Sequence, residues 1–248
     1  MNSAFANTWA ITKRELSSYF ASPVAYVFIV IFLLMTGFFT FMAGGFFQRG
    51  EASLTSFFLW HPWLYLFLVP AVGMRLWSEE RRLGTLELLL TMPVTAAQAI
   101  IGKFLASWLF LALSLALTFP VWFTVNYLGT PDNGVIIAGY VGSLLLAGAY
   151  LAITCMTSAL TRNQVIAFIL SVVICLFLIL AGWPPVMDFL TSVGAPGLKD
   201  FVARLSVMTH FESFQRGVLD FRNVLYFASV IGFCLFTTGV IIRTHRAG

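Results

Sequence analysis

The sequence predicts an all-α integral membrane protein with six transmembrane helices, and three observations carry that prediction. Of its 248 residues, 60% are apolar and only 10% charged, against roughly 45–50% and about 25% in soluble domains. The mean hydropathy is +0.92. The apolar residues are gathered into long runs, and a helix needs about 20 such residues to cross a bilayer. These numbers exclude a water-soluble enzyme and a disordered chain. The loops between the runs are short, so residues 1–248 are read as one transmembrane domain with no separate soluble catalytic part. The net charge of +4 and pI of about 9.1 are assigned to cytoplasmic loops, where Lys and Arg accumulate, and nucleic acid is not expected as a partner.

The elements follow in order. Phe5, Trp9, Leu16, Tyr19 and Phe20 share one helical face over residues 5–20, with Lys13, Arg14 and Glu15 between them. This pattern predicts an amphipathic helix on the inner membrane surface. Pro23 ends it or turns it into the first span. The polar stretch before the first apolar run, and the length of that run, argue against a cleavable signal peptide. The spans are expected at about 24–47, 57–77, 99–128, 135–160, 164–183 and 225–242. The first carries no charge and would be about 36 Å long at 1.5 Å per residue. The second holds Pro62 and Pro70, which bundle neighbours can accommodate. The fifth ends at Pro184-Pro185.

An even number of spans puts both termini on one side. That side holds Lys13, Arg14, Arg75, Arg81, Arg82, Lys103, Arg162, Arg243 and Arg246; the other holds Arg49, Lys199, Arg204, Arg216 and Arg222. The richer side is cytoplasmic by the positive-inside rule. Residues 184–223 then lie outside. They read as two short amphipathic helices, one carrying Leu198, Phe201, Val202 and Leu205, the other His210, Phe211, Phe214 and Val218. Phe201, Leu205, Phe211 and Phe214 are expected to be buried against the bundle or in the membrane interface.

Soluble chemistry is missing from the pattern. No ionisable residue falls near the middle of a span, which disfavours an ion-coupled carrier or an embedded haem. His61, Arg75 and Lys103 lie near span ends and read as interfacial or snorkelling residues. Gly102-Lys103 is followed by Phe104, and residue 97 is Ala, so there is no phosphate loop. The adjacent Glu79 and Glu80 would point apart on a helix. Cys155, Cys175 and Cys234 sit in separate apolar runs and read as small buried hydrophobes. No catalytic, metal or cofactor site is expected in this chain.

The loop from Ser78 to Ala97 is the positive signal. Gly84 gives a turn, Thr85 suits an N-cap, and Glu87 would fall in the first turn, where the helix dipole favours an anion. Leu86, Leu89 and Leu90 make a short apolar face, and Pro93 stops the helix. Thr95 to Gln98 forms a capping box opening the third span. A short helix of this kind suits docking into a partner's groove; it equally suits resting on lipid.

Glu79-Glu80-Arg81-Arg82-Leu83-Gly84-Thr85-Leu86-Glu87-Leu88-Leu89-Leu90, with Pro93, resembles the Glu–Gly-Thr–Glu–Leu–Pro signature of type-2 ABC exporter permeases. Lys13-Arg14-Glu15-Leu16, Tyr19-Phe20, Ser22-Pro23 and Ala25-Tyr26 resemble the start of the gliding-motility (Gld) permease subunit. His210-Phe211-Glu212 with Arg216-Gly217-Val218-Leu219-Asp220 resembles its outer segment. The resemblance implies a multi-pass permease of the bacterial inner (plasma) membrane, with an interfacial N-terminal helix and re-entrant outer helices. It implies that Glu79, Glu80, Gly84, Thr85, Leu86, Glu87, Leu89 and Leu90 meet an ABC ATPase subunit through a coupling helix. ATP and Mg would belong to that partner. It further implies a second permease subunit, identical or paralogous, and an accessory subunit with a periplasmic domain. The alternative is a structural or force-transmitting membrane subunit that exports nothing.

Overall fold

The computed structural model describes residues 2–50, 52–85, 94–192 and 196–244, and among them every regular element is helical. Helix α1 (Asn2–Ala21) stops at Ser22, whose hydroxyl accepts from the Val24 N–H at 3.3 Å. Pro23 then opens α2 (Pro23–Phe38). Its missing N–H is not needed in a first turn, and its fixed φ suits one. A π-helical stretch, Phe39–Ala43, links α2 to α3 (Phe46–Arg49).

The expected second span is broken. Residues 55–83 form three helices: α4 (Thr55–Leu59), α5 (His61–Gly73) and α6 (Arg75–Leu83). Pro62 lies in the first turn of α5 and Pro70 inside it. A proline removes one backbone donor and crowds the preceding turn, so two prolines in this apolar run leave no single long helix. α7 (Ala96–Ala116) opens with the capping box: Thr95 Oγ1 accepts from the Gln98 N–H at 3.3 Å, and Gln98 Oε1 from the Thr95 N–H at 3.0 Å. α8 (Phe119–Leu128) continues its apolar run. α9 (Asn133–Leu160) is capped by Asp132, and α10 (Gln164–Leu180) by Asn163.

By length and apolar composition, four stretches suit a membrane crossing: Pro23–Gln48, Ala96–Leu128, Asn133–Leu160 and Phe221–Thr244, the last being α14. A fifth is added if α10 and the next helix, α11 (Pro184–Ser192), count as one span bent by 69°. The chain is thus a multi-pass membrane protein. α9 is its axis: 72% of its most apolar window is buried, against 22% for α2 and for α14. α9 packs against α14, α5, α10, α7 and α6. Within the bundle, hydroxyls return to their own helix. Thr36, Ser107, Ser114, Thr154 and Ser171 each donate to the carbonyl four residues back, so these five hydroxyls are paired within their own helices.

The outer segment holds three helices where two were expected: α11, α12 (Pro196–Leu205) and α13 (Val207–Gln215). Pro184-Pro185 begins a helix as well as ending the span, because proline is favoured in a first turn. Val218 lies beyond α13 and is exposed.

Candidate functional site

The break at Met74 leaves the first backbone N–H groups of α6 without helical partners. α9 supplies one acceptor for two of them. Ser158 Oγ accepts from the Trp77 and Ser78 N–H groups, both at 3.0 Å, and donates to the Met74 carbonyl at 2.9 Å. The Trp77 indole N–H points to Cys155 Sγ at 3.2 Å. Further along α6, Arg81 donates to the Ala159 carbonyl in the last turn of α9, the end that favours a cation. α6 is therefore pinned along its length to the end of the central helix.

Lys103 of α7 completes the junction. Its ammonium lies 2.8 Å from Glu80 Oε1 on α6 and 3.3 Å from Glu15 Oε1 on α1. It also sits 5.7 Å from the centre of the Trp77 ring, a cation–π distance. The Lys103 side chain is only 6% exposed. The expectation of a snorkelling lysine is corrected: two carboxylates from other helices make burial tolerable, where an unpaired charge would be expelled. Burial alone would raise the Glu15 carboxyl, but Lys103 and Arg14 together hold it below the usual carboxylate range. Sequence reasoning missed this triad because nothing local pairs Glu15, Glu80 and Lys103. The available signal was a lone lysine in an apolar run at the depth of two acidic segments.

α1 reaches this junction by lying along α7. A Cβ on Gly102 would fall 2.8 Å from Ile11 Cγ2, so the glycine permits the close approach. Tyr19 Oη and Ser107 Oγ are 2.9 Å apart. At its far end α6 stops at Gly84, whose φ of +71° is the left-handed conformation that favours glycine there. The turn expected at Gly84 is present. Glu79 and Glu80 are half-buried on α6, and Thr85 Oγ1 is 3.4 Å from the Glu80 carbonyl. Leu86, Glu87, Leu89 and Leu90 lie outside the described residues.

At the opposite end, His210 of α13 ties the outer helices to α14. Its Nδ1 lies 2.7 Å from Asn223 Oδ1 and its Nε2 3.2 Å from the Arg204 carbonyl. Its ring stacks on Tyr226 at 3.9 Å and 18°, and the Tyr226 hydroxyl donates to the Leu205 carbonyl at 2.6 Å. Phe211 and Phe214 are fully buried in the bundle. Phe201 and Leu205 are not covered by it, being 62% and 42% exposed; of the two settings expected for them, the bundle is excluded. His61 also differs from expectation. It is fully buried, with Nδ1 2.9 Å from the Phe57 carbonyl, and the rings of Phe57 and Tyr65 cover it at 4.6 and 5.2 Å. Solvent does not reach it because α4 folds over the start of α5. Among the described residues, no three His, Cys, Asp or Glu side chains converge as a metal site would need.

A family model described as ABC-2 family transporter protein matches residues 9–238, from α1 through the outer helices into α14. The chain belongs to the ABC-2 transporter family. An ABC-2 family protein is a membrane component of a transporter, and the family in general implies an ABC ATPase partner. In this ABC-2 protein, the end that carries α6 bears the ion-paired triad, and the other end bears the His210 clamp. A comparison with curated proteins gave no match.

Proposed function

We propose that the chain is the six-span permease subunit of an ABC transporter of the bacterial inner membrane, with both termini cytoplasmic. Its coupling element is the loop that follows α6, where Leu86, Leu89 and Leu90 enter a groove on the ATPase and Glu87 lies at the rim. ATP and Mg stay on that partner. Two permease subunits, identical or paralogous, assemble over two ATPases. The branch is the gliding-motility type, on the motifs around Lys13–Tyr26 and His210–Asp220. The exposed Phe201 and Leu205 suit an accessory subunit docking on the outer face.

One observation carries the coupling reading: Lys103 joins α6, the helix that leads into the loop, to α7 and α1 through Glu80 and Glu15. A push on the loop reaches α6 first. Ser158 and Arg81 pass it to α9, and Lys103 passes it to α7 and α1. The bundle end then moves as one rigid body between two arrangements. The six-span count rests on α9 used as a ruler. Gly139 lies against the Phe58 ring, while Cys155 meets Trp77. The broken stretch from Phe58 to Trp77 thus follows α9 for about 24 Å at 1.5 Å per residue, most of a bilayer's hydrocarbon depth.

Leu86→Asp tests the coupling. At a docking hot spot the loss is about 2 kcal/mol or more, roughly thirtyfold in affinity. The ATPase should dissociate, or hydrolyse ATP without transport, while membrane insertion stays normal. Retention of both association and coupled activity would remove this loop from the mechanism.

A further inference from the structure

A cavity of about 690 Å³ lies between α1, α2, α5 and α6, within the size range of small-molecule sites. One wall is α2, where Val24, Val27 and Ile31 line the cavity and are also exposed on the outside of the chain. That wall is continuous with the surface facing the bilayer. The other end is charged, being lined by Glu15, Arg75, Glu79, Glu80 and Lys103.

The charges at that end are incompletely matched. Lys103 is committed to Glu80 Oε1 and Glu15. Glu80 Oε2 is buried with no hydrogen-bond partner among the described residues. Arg75 and Glu79 are half-buried, and neither makes an ion pair or hydrogen bond among the described residues. The lining thus holds three carboxylates against two cations, with the Arg75 guanidinium, the Glu79 carboxylate and Glu80 Oε2 left open. Unmatched charge at low dielectric is costly, so the end is complementary to a ligand that carries both signs.

We propose that this cavity binds a phospholipid with a primary-ammonium, zwitterionic headgroup, such as a phosphatidylethanolamine, from the inner leaflet. The Arg75 guanidinium takes the phosphate, for which its planar donors are suited. The ammonium donates to Glu80 Oε2 and Glu79. One acyl chain lies along Val24, Val27 and Ile31. An anionic headgroup without an amine would leave Glu79 and Glu80 unmatched. A trimethylated amine has no N–H to give to Glu80 Oε2. A second copy of the chain seating the same face of α2 here would bring no charge, since Pro23–Phe38 contains no charged residue. The proposal does not rest on ATPase coupling.

The test uses the full chain, purified in detergent, stripped of lipid and titrated with dioleoyl phosphatidylethanolamine, phosphatidylcholine or phosphatidylglycerol while binding is read by native mass spectrometry. The ethanolamine lipid should bind at least tenfold more tightly than either of the others. Arg75→Gln should weaken it at least tenfold without changing the thermal midpoint of the lipid-free chain, because Arg75 has no internal partner to lose. Glu79→Gln should narrow the preference for ethanolamine over choline. If Arg75→Gln fails to fold, Val27→Trp, which fills the apolar wall, should give the same loss of binding. Equal affinity for the three lipids overturns the proposal. So does undiminished binding in the folded variants, or a Val27→Cys chain that crosslinks to a second copy whether or not lipid is present.

Discussion

Lys103 ties three helices together at the α6 end of the bundle. Removing it leaves Glu80 with no cation partner among the described residues and Glu15 with Arg14 alone. Breaking a buried pair this way costs about 3–5 kcal/mol, so Lys103→Met should lower the thermal midpoint in detergent sharply. Lys103→Met combined with Glu80→Gln should recover much of that loss, because the leftover charge that has no second cation is gone. If the double variant is no better than the single, lost packing over Trp77 is responsible and the charge argument fails. The same site gives a pH dependence. The Glu15 carboxyl is lowered in the folded chain, so its contribution is present above the ordinary carboxylate range, near 4.3. It is lost as pH falls through the lowered value. Thermal scans from pH 7 to pH 3 should show the native chain losing more stability than Glu15→Gln; parallel curves would mean that Glu15 is not ionised against Lys103.

At the scale of elements, the outer helices hang on His210. His210→Ala removes an aromatic stack worth about 0.5–1.5 kcal/mol and a hydrogen bond of similar size. The expected result is local: amides of α11 and α12 exchange faster with deuterium, while α9 stays protected. Uniform loosening would show that the clamp is part of the core instead. What was legible here was whatever is written in neighbouring residues. Pro23, Gly84 and the Thr95–Gln98 box mark helix ends through groups a few residues apart, and each appears as read. Phe211 and Phe214 share a helical stripe, and both are buried. Phe201 and Leu205 share one too, yet face outward, because periodicity finds an apolar face without saying what covers it. The division of residues 55–83 was missed for another reason. Prolines inside membrane spans are tolerated when neighbours reclaim the freed backbone groups, and the neighbour here, Ser158 at the Met74 break, is remote in sequence.

At the scale of the whole molecule, α9 fixes which segments lie at which end. Gly142 packs against Phe214 of the outer segment, and Ser158 holds Trp77 and Ser78 of α6. The rise from Gly142 to Ser158 is about 24 Å at 1.5 Å per residue. The outer helices and the end of α6 therefore lie at opposite ends of the bundle, whichever way it faces. Sidedness comes from charge. Lys13, Arg14, Arg75, Arg81, Arg82, Lys103 and Arg162 all lie in segments near the α6 end or its short loops, which by the positive-inside rule is the ground for proposing that end as the cytoplasmic one. Cysteine labelling in intact cells decides it. Asp188 on α11 and Arg82 on α6 are both exposed, so a cysteine at either is reachable. Cys155, Cys175 and Cys234 are all buried and give a low background. Asp188→Cys should react with a membrane-impermeant thiol reagent in intact cells, and Arg82→Cys only after permeabilisation. The reverse order would place the triad and the following loop outside, away from any cytoplasmic ATPase, and the coupling proposal would fall with the orientation. Reaction of both in intact cells would mean an even number of crossings between residues 82 and 188 rather than the three proposed there, and the six-span count would fall instead.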